Sequence, residues 1–169
     1  MKAVTDVKIR TRDGETLATD IYFPTTGEGP WPVVMERTPY DKTAPSRSEV
    51  TLQGHKVSRE EMAQAFVDKG FVCVFQDCRG RYQSSGTFTK YINEAEDGYD
   101  TCAWLVEQSW CNGKIGTMGL SYAAHTQLAL ACLNPPGLAS MVMDSGGFSN
   151  AYQCCLLYTS PSPRDSFRS

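Results

Sequence analysis

The segment KIGTMGLSYAAHTQLALACL, residues 114–133, decides the fold. Its first seven residues form an apolar run that predicts a strand, and its last twelve have the composition of a helix. Ser121 lies between them, flanked by the small residues Gly119 and Ala123. A sharp strand-to-helix turn needs small flanks because it brings the two backbones close together, and it lifts the serine hydroxyl above the sheet edge. The segment indicates either such an elbow, in the form G-x-S-x-A, or a packed turn whose serine caps the helix.

The segments around this stretch predict a mostly parallel sheet. Residues 4–12 and 16–23 alternate polar and apolar positions around Asp13-Gly14, which predicts a β-hairpin. FVCVFQD (71–77) is a continuous apolar run, typical of a strand covered on both faces. The alternation of strands and helices after the hairpin indicates an α/β fold with helices on both faces of the sheet. The other predicted elements are a strand centred on residues 32–35, a helix between the capping box Ser58/Glu61 and Gly70, a helix over 94–108 and a strand within 138–146.

The composition excludes several classes of protein. A hydrophobic fraction of 41% predicts a folded domain, and a net charge of −3 without a basic stripe argues against a nucleic-acid partner. No apolar run is long enough to span a membrane, and the N-terminus lacks the apolar stretch of a signal peptide, so we expect a cytoplasmic protein. The oligomeric state stays open.

The seven cysteines have no metal-ligand spacing, either among themselves or with the two histidines. We therefore expect no metal site, and nothing in the sequence calls for a cofactor. Cys73 and Cys132 are expected to be small core residues. A disulfide between Cys102 and Cys111 is an open alternative.

Three longer motifs occur in a fixed order around the serine segment. They are RTPYDK (37–42), QDCRGRYQSSGTF (76–88) and EAEDGYDTCAWLVEQSWCNGKIGTMGLSY (94–122). Together they resemble the CocE/NonD family of serine hydrolases, the cocaine esterase and X-Pro dipeptidyl-peptidase group, over residues 8 to about 150. The resemblance implies an α/β-hydrolase fold, of which this chain holds a truncated, N-terminal part.

The resemblance also implies roles for three residues. Ser121 matches the family nucleophile, and Tyr40 matches the tyrosine whose hydroxyl points into the oxyanion hole. The backbone N–H of Tyr122 matches the second oxyanion donor, and it opens a helix, where an N–H is unsatisfied and attracts negative charge. For Tyr40 the alternative is an aromatic residue packed on a loop. Asp77 and Arg79, in the family's D-x-R-G turn, are expected to order their loop, and Asp97 and Asp100 to be either solvated or tied to it.

The expected reaction is cleavage of a small ester, amide or short peptide through an acyl-enzyme intermediate. Carboxylesterase and X-Pro dipeptidyl-peptidase activities remain alternatives. His125 lies one helical turn beyond Ser121 and His55 lies in a polar loop, so neither is expected to be the base, and Asp144 is only a possible acid. In the resembled family the acid and the histidine follow much later, after an inserted helical domain. The alternative is an inactive, truncated α/β domain in which Ser121 has no partner.

The last part of the chain differs in character from the rest. CLLYTSPSPRD (155–165) has no periodicity and equals the reading-frame translation of a widely used transposase sequencing adapter. We therefore expect residues 1–153 to be the N-terminal portion of the catalytic domain and residues 154–169 to be a non-native tail. A genuine Ser/Pro-rich linker is the alternative.

Overall fold

The computed structural model describes residues 1–45 and 50–146, so the predicted tail at 154–169 lies outside the described residues. Within them, no helix is long and apolar enough to cross a membrane. The helices and strands follow one another as β1 (Lys2–Arg10), β2 (Thr16–Phe23), β3 (Trp31–Thr38), α1 (Arg59–Val67), β4 (Val72–Asp77), α2 (Glu94–Val106), β5 (Cys111–Leu120), α3 (Tyr122–Ala131) and β6 (Leu138–Asp144).

The strands form one sheet in the order β1-β2-β4-β3-β5-β6. β1 and β2 form the predicted antiparallel hairpin, and β2 pairs antiparallel with β4. β4, β3, β5 and β6 run parallel to one another. The predicted α/β class with a mostly parallel sheet is therefore confirmed. Because β3 and β5 are parallel neighbours, the loops that follow them begin at the same edge of the sheet.

The side chains of β4 divide the core between the two faces of the sheet. Val72 and Val74 pack in a cluster with residues of α2 and α3, whereas Cys73 and Phe75 pack with residues of α1. All six residues of β4 are buried, as the continuous apolar run predicts. Helices therefore cover both faces, as expected.

The predicted capping box begins α1. The hydroxyl of Ser58 accepts the N–H of Glu61 at 3.1 Å, and the Glu61 carboxylate accepts the N–H of Ser58 at 2.7 Å. β3 runs three residues beyond its predicted apolar core, to Thr38. The polar residues Glu36 and Arg37 can stay in a buried strand because each forms an ion pair with a side chain outside it.

The cysteine predictions are only partly confirmed. Cys73 is a core residue as expected, and burial raises the pKa of its thiol to about 12. Cys102 and Cys111 are both free, so the disulfide alternative is wrong. Cys132 is exposed rather than buried, because it directly follows the last residue of α3. In residues 1–45 and 50–146, no group of three or more His, Cys, Asp or Glu side chains could hold a metal ion.

Candidate active site

Ser121 and Tyr40 meet at one edge of the sheet. Tyr40 follows the last residue of β3 by two positions, and Ser121 directly follows β5. The Oη of Tyr40 lies 3.5 Å from the Oγ of Ser121, at the outer limit of a hydrogen bond. The structure therefore brings together two of the three residues that the sequence singled out, from positions 81 residues apart.

The backbone at Ser121 has the geometry of a strained elbow. Ser121 has φ 58° and ψ −116°, a region that residues other than glycine rarely adopt, and its side chain is exposed. Its N–H donates to the carbonyl of Asp144 at 3.0 Å, which ties the turn to the end of β6. The hydroxyl makes no capping hydrogen bond to α3. The alternative in which Ser121 caps the helix is therefore wrong.

Gly119 is the residue that makes this turn sterically possible. Its φ is +150°, and a Cβ at this position would lie 2.4 Å from the Cβ of Ala123, closer than two carbon atoms can approach. The missing side chain at 119 leaves room for the methyl group at 123. An alanine is therefore compatible with the second small position of the motif.

Tyr122 directly follows Ser121 and has a backbone N–H that is unpaired among the described residues, as well as a buried phenol. As the first residue of α3, its N–H has no acceptor within the helix. Its side chain is buried, and its hydroxyl donates to Glu94 Oε1 at 3.0 Å while accepting the N–H of Tyr91 at 2.8 Å. Burial, followed by the charge of Glu94, raises the pKa of the Tyr122 phenol, so it stays a protonated donor to that carboxylate.

The loop that carries Tyr40 is anchored by Asp77, the last residue of β4, and by Arg81 in the loop that follows. The carboxylate of Asp77 accepts the N–H of Lys42 at 2.8 Å, and burial raises the pKa of Asp77. The Nε of Arg81 donates to the carbonyl of Pro39 at 3.1 Å. Within its own loop, Asp77 also accepts the N–H of Gln83 at 3.5 Å, which is the ordering contact that was expected. The hydrogen bonds from Lys42 to Asp77 and from Arg81 to Pro39 are anchors of the Tyr40 loop that the sequence analysis missed.

Neither imidazole of the chain is hydrogen-bonded to the Oγ of Ser121 in the described structure. His55 is exposed, and its Nε2 lies 3.1 Å from the carboxylate of Glu61. His125 is buried, with its ring centroid 4.9 Å from that of Tyr91. The Oδ1 of Asp144 accepts the hydroxyl of Ser145 at 2.9 Å.

The phenol of Tyr122 contacts a group of ion-paired side chains, most of them buried, which we call the buried cluster: Arg37, Glu94, Asp97 and Arg79. The sequence analysis did not foresee the part of it formed by Arg37 and Glu94. Nη2 of Arg37 lies 3.1 Å from Glu94 Oε2, and the side chain of Arg37 is 1% exposed. Nη2 of Arg79 lies 2.5 Å from Asp97 Oδ1, which confirms the expected tie between Asp97 and the Arg79 loop. The available signal was an arginine two residues beyond the predicted apolar core of β3, since a charge that continues a buried strand needs a partner.

Comparisons with known proteins show the family to which the chain belongs. The sequence model of the family described as X-Pro dipeptidyl-peptidase (S15 family) matches residues 13–159. Cocaine esterase of Rhodococcus sp. (strain MB1 Bresler) is 35% identical over 136 residues, which are 80% of this chain and 22% of that protein. The chain thus spans about a fifth of the length of this curated relative.

Two solved structures are similar in both fold and sequence. A CocE/NonD family hydrolase from Staphylococcus aureus superposes with a TM-score of 0.68 at 32% identity, over 82% of this chain and 26% of that chain. An alpha-amino acid ester hydrolase gives a TM-score of 0.67 at 32% identity, over 83% of this chain and 24% of that chain. These matches confirm the resemblance inferred from the sequence motifs. The fold is that of a CocE/NonD α/β-hydrolase, and the chain covers only part of it. The chain belongs to the X-Pro dipeptidyl-peptidase (S15) family.

Proposed function

We propose that this chain carries the nucleophile and the oxyanion hole of a serine hydrolase that cleaves esters or amides through an acyl-enzyme intermediate. Ser121 is the proposed nucleophile. The observation that carries the proposal is the 3.5 Å approach of the Tyr40 hydroxyl to the Ser121 hydroxyl on an exposed, strained elbow. A packed turn with no chemical role has no need for this strain, which costs roughly 1–3 kcal/mol.

The proposed oxyanion hole consists of the Tyr40 hydroxyl and the backbone N–H of Tyr122. When Ser121 attacks a carbonyl carbon, negative charge develops on the carbonyl oxygen, and hydrogen-bond donors fixed beforehand stabilise that charge. The Tyr122 N–H is held by the start of α3 and by the buried phenol of the same residue. Tyr40 is held by the anchored loop after β3.

The general base is the part of the mechanism for which the described residues offer no group in contact with Ser121. A serine hydroxyl is a weak nucleophile until a base accepts its proton. His55 is bound to Glu61 and His125 is packed against Tyr91, so we assign the base to a segment of the whole protein other than residues 1–146. The second candidate, favoured by the same observation, is a folded domain that is catalytically inactive by itself.

The test has two parts, because the nucleophile and the base are proposed to lie on different segments. In a version of the protein that includes the segments its relatives have beyond this match, a fluorophosphonate should label Ser121. Replacing Ser121 with alanine should abolish labelling and reduce ester turnover to the small residual activity that binding and the oxyanion hole provide. Ser109→Ala, an exposed serine before β5, is the matched control and should change neither.

The 169-residue chain should hydrolyse p-nitrophenyl esters at the same rate with Ser121 as with Ser121→Ala. Turnover that depends on Ser121 in this chain would mean that a base lies within it, and His55 would then be tested first. Labelling that persists in the longer Ser121→Ala protein would remove Ser121 from the mechanism.

A further inference from the structure

A cavity of about 280 Å³ opens beside the proposed oxyanion hole. Two of its lining residues are Tyr40 and Tyr122, which also flank Ser121. Two others, Arg81 and Lys90, are cations, and none of the lining residues is acidic. The full lining is Pro39, Tyr40, Arg81, Phe88, Lys90 and Tyr122. The cavity is therefore an aromatic-walled space with a net positive charge, next to the proposed reaction centre.

The two cations have no carboxylate partner in the part of the chain that the structure describes. All the ion pairs found there involve other basic residues. The guanidinium carbon of Arg81 instead lies 5.2 Å from the ring centroid of Phe88, and Lys90 Nζ lies 4.7 Å from that of Tyr91. Aromatic faces hold a cation in place without neutralising its charge.

Arg81 is fixed in position before any ligand binds. Its Nε donates to the carbonyl of Pro39, the residue before Tyr40. The turn that carries it is packed closely against the Phe88 segment, since a Cβ on Gly80 would lie 2.1 Å from the backbone nitrogen of Phe88. A guanidinium held in this way loses little conformational entropy on binding an anion.

We propose that this cavity is a substrate subsite for a carboxylate, and that Arg81 and Lys90 are its specificity-determining residues. The Nη1 and Nη2 groups of the Arg81 guanidinium and the ammonium of Lys90 donate hydrogen bonds to the carboxylate oxygens. Phe88 and the tyrosines contact the carbon skeleton that joins this group to the scissile ester or amide. The inference rests on the proposed function, because it identifies the cavity as part of a hydrolase site.

Equilibrium binding tests the subsite without requiring catalysis. The 169-residue Ser121→Ala protein is titrated with two carboxylate-bearing esters and followed by ligand-observed NMR. Monomethyl terephthalate carries the carboxylate on its acyl part, and its neutral partner is dimethyl terephthalate. 4-Acetoxybenzoate carries the carboxylate on its leaving group, and its neutral partner is methyl 4-acetoxybenzoate. We expect at least one anionic ester to bind about five- to tenfold more tightly than its neutral partner, since hydrogen bonds to charged groups are the strong ones.

The variants decide whether the cavity is responsible. In Arg81→Gln/Lys90→Gln, the preference for the anionic ester should disappear. Lys114→Gln is the matched control for the single variant Lys90→Gln, because each removes one lysine charge from an exposed position; Lys114 lies near the opposite end of β5, so its variant should keep the full preference. Lys90→Gln alone, at an exposed position, should fold normally and lose part of the preference.

Equal binding of anionic and neutral esters would overturn the proposal, as would a preference that survives in the double variant. If the double variant does not fold, an unchanged preference in Lys90→Gln would also overturn it. The nucleophile is tested separately by fluorophosphonate labelling of the longer protein. A preference that depends on Arg81 and Lys90 would therefore support the subsite even if Ser121 were not labelled.

Discussion

Two groups of polar residues meet at Tyr122, and they differ in burial and in partners. The first, which we call the rim, consists of Ser121, Tyr40 and Arg81, all of which are at least partly exposed. The second is the buried cluster, in which Arg37 and Asp97 have side chains that are each 1% exposed and ion-paired. Tyr122 belongs to both groups, since its N–H lies at the rim and its phenol binds Glu94 of the cluster.

This difference separates groups that hold the fold from groups that can act on a ligand. In the cluster, each charge forms an ion pair with a buried side chain, so it is not available to bind a ligand. At the rim, Ser121 is exposed and Arg81 has no carboxylate partner among the described residues. We therefore expect substitutions in the cluster to change folding and substitutions at the rim to change chemistry.

The largest effect on folding is expected from Arg37→Met. The change removes the partner of Glu94 and leaves a buried carboxylate uncompensated, which costs about 3–5 kcal/mol of unfolding free energy. Urea unfolding followed by circular dichroism measures the loss. Arg12→Gln is the control, because Arg12 pairs with Asp100 from a half-exposed position and should lose less than about 1 kcal/mol. Equal losses in the two variants would contradict the division between cluster and surface.

At the rim, Tyr40→Phe should lower turnover and leave thermal stability nearly unchanged. In a version of the protein that contains the complete site, losing one oxyanion donor should lower kcat by roughly 10²–10³-fold. The melting temperature should change little, since the hydroxyl lies at an exposed edge beside Ser121. Steady-state kinetics and thermal unfolding are measured on the same preparation. A loss of stability with unchanged kcat would instead support the packing role for Tyr40.

The comparison also shows what sequence reasoning can reach. The hairpin, the buried strand β4 and the elbow were predictable because local patterns decide them: an Asp-Gly turn, an apolar run and small residues around Ser121. In the buried cluster, the tie between Asp97 and Arg79 was expected, but the pairing of Arg37 with Glu94 was not predictable, because these residues are 57 positions apart and meet only when α2 packs on the sheet. Likewise, the cavity beside Tyr40 depends on a loop, 78–93, that has no periodic pattern.

Tyr122→Phe sharpens the comparison at the residue that both groups share. The substitution keeps the ring and the backbone N–H but leaves the Glu94 carboxylate and the Tyr91 N–H without the phenol. Unsatisfied buried groups cost about 1–3 kcal/mol, so the unfolding free energy should fall by that amount. Because the oxyanion donor is the N–H, kcat should change much less than in Tyr40→Phe. A kcat loss as large as that of Tyr40→Phe would mean that the phenol, and not only the N–H, serves the reaction.

The smallest effect is expected where the buried cluster reaches the surface, at Asp13. The hydrogen bond from Arg79, followed by that from Thr11, holds the pKa of the exposed Asp13 carboxyl well below its usual range. A carboxyl with a lower pKa in the folded chain stabilises the fold at pH values above its unfolded pKa, about 3.9. That contribution is lost as the pH falls through the folded pKa.

Asp13→Asn should therefore lower the melting temperature slightly near neutral pH, because exposed ion pairs contribute little. The difference between the two chains should stay constant down to about pH 5 and shrink below about pH 4, because Asp13 of the unsubstituted chain then becomes protonated and loses its charged interaction with Arg79. Thermal unfolding across this range measures it, and a difference that widens as the pH falls would show that Asp13 is not held in its charged form by Arg79.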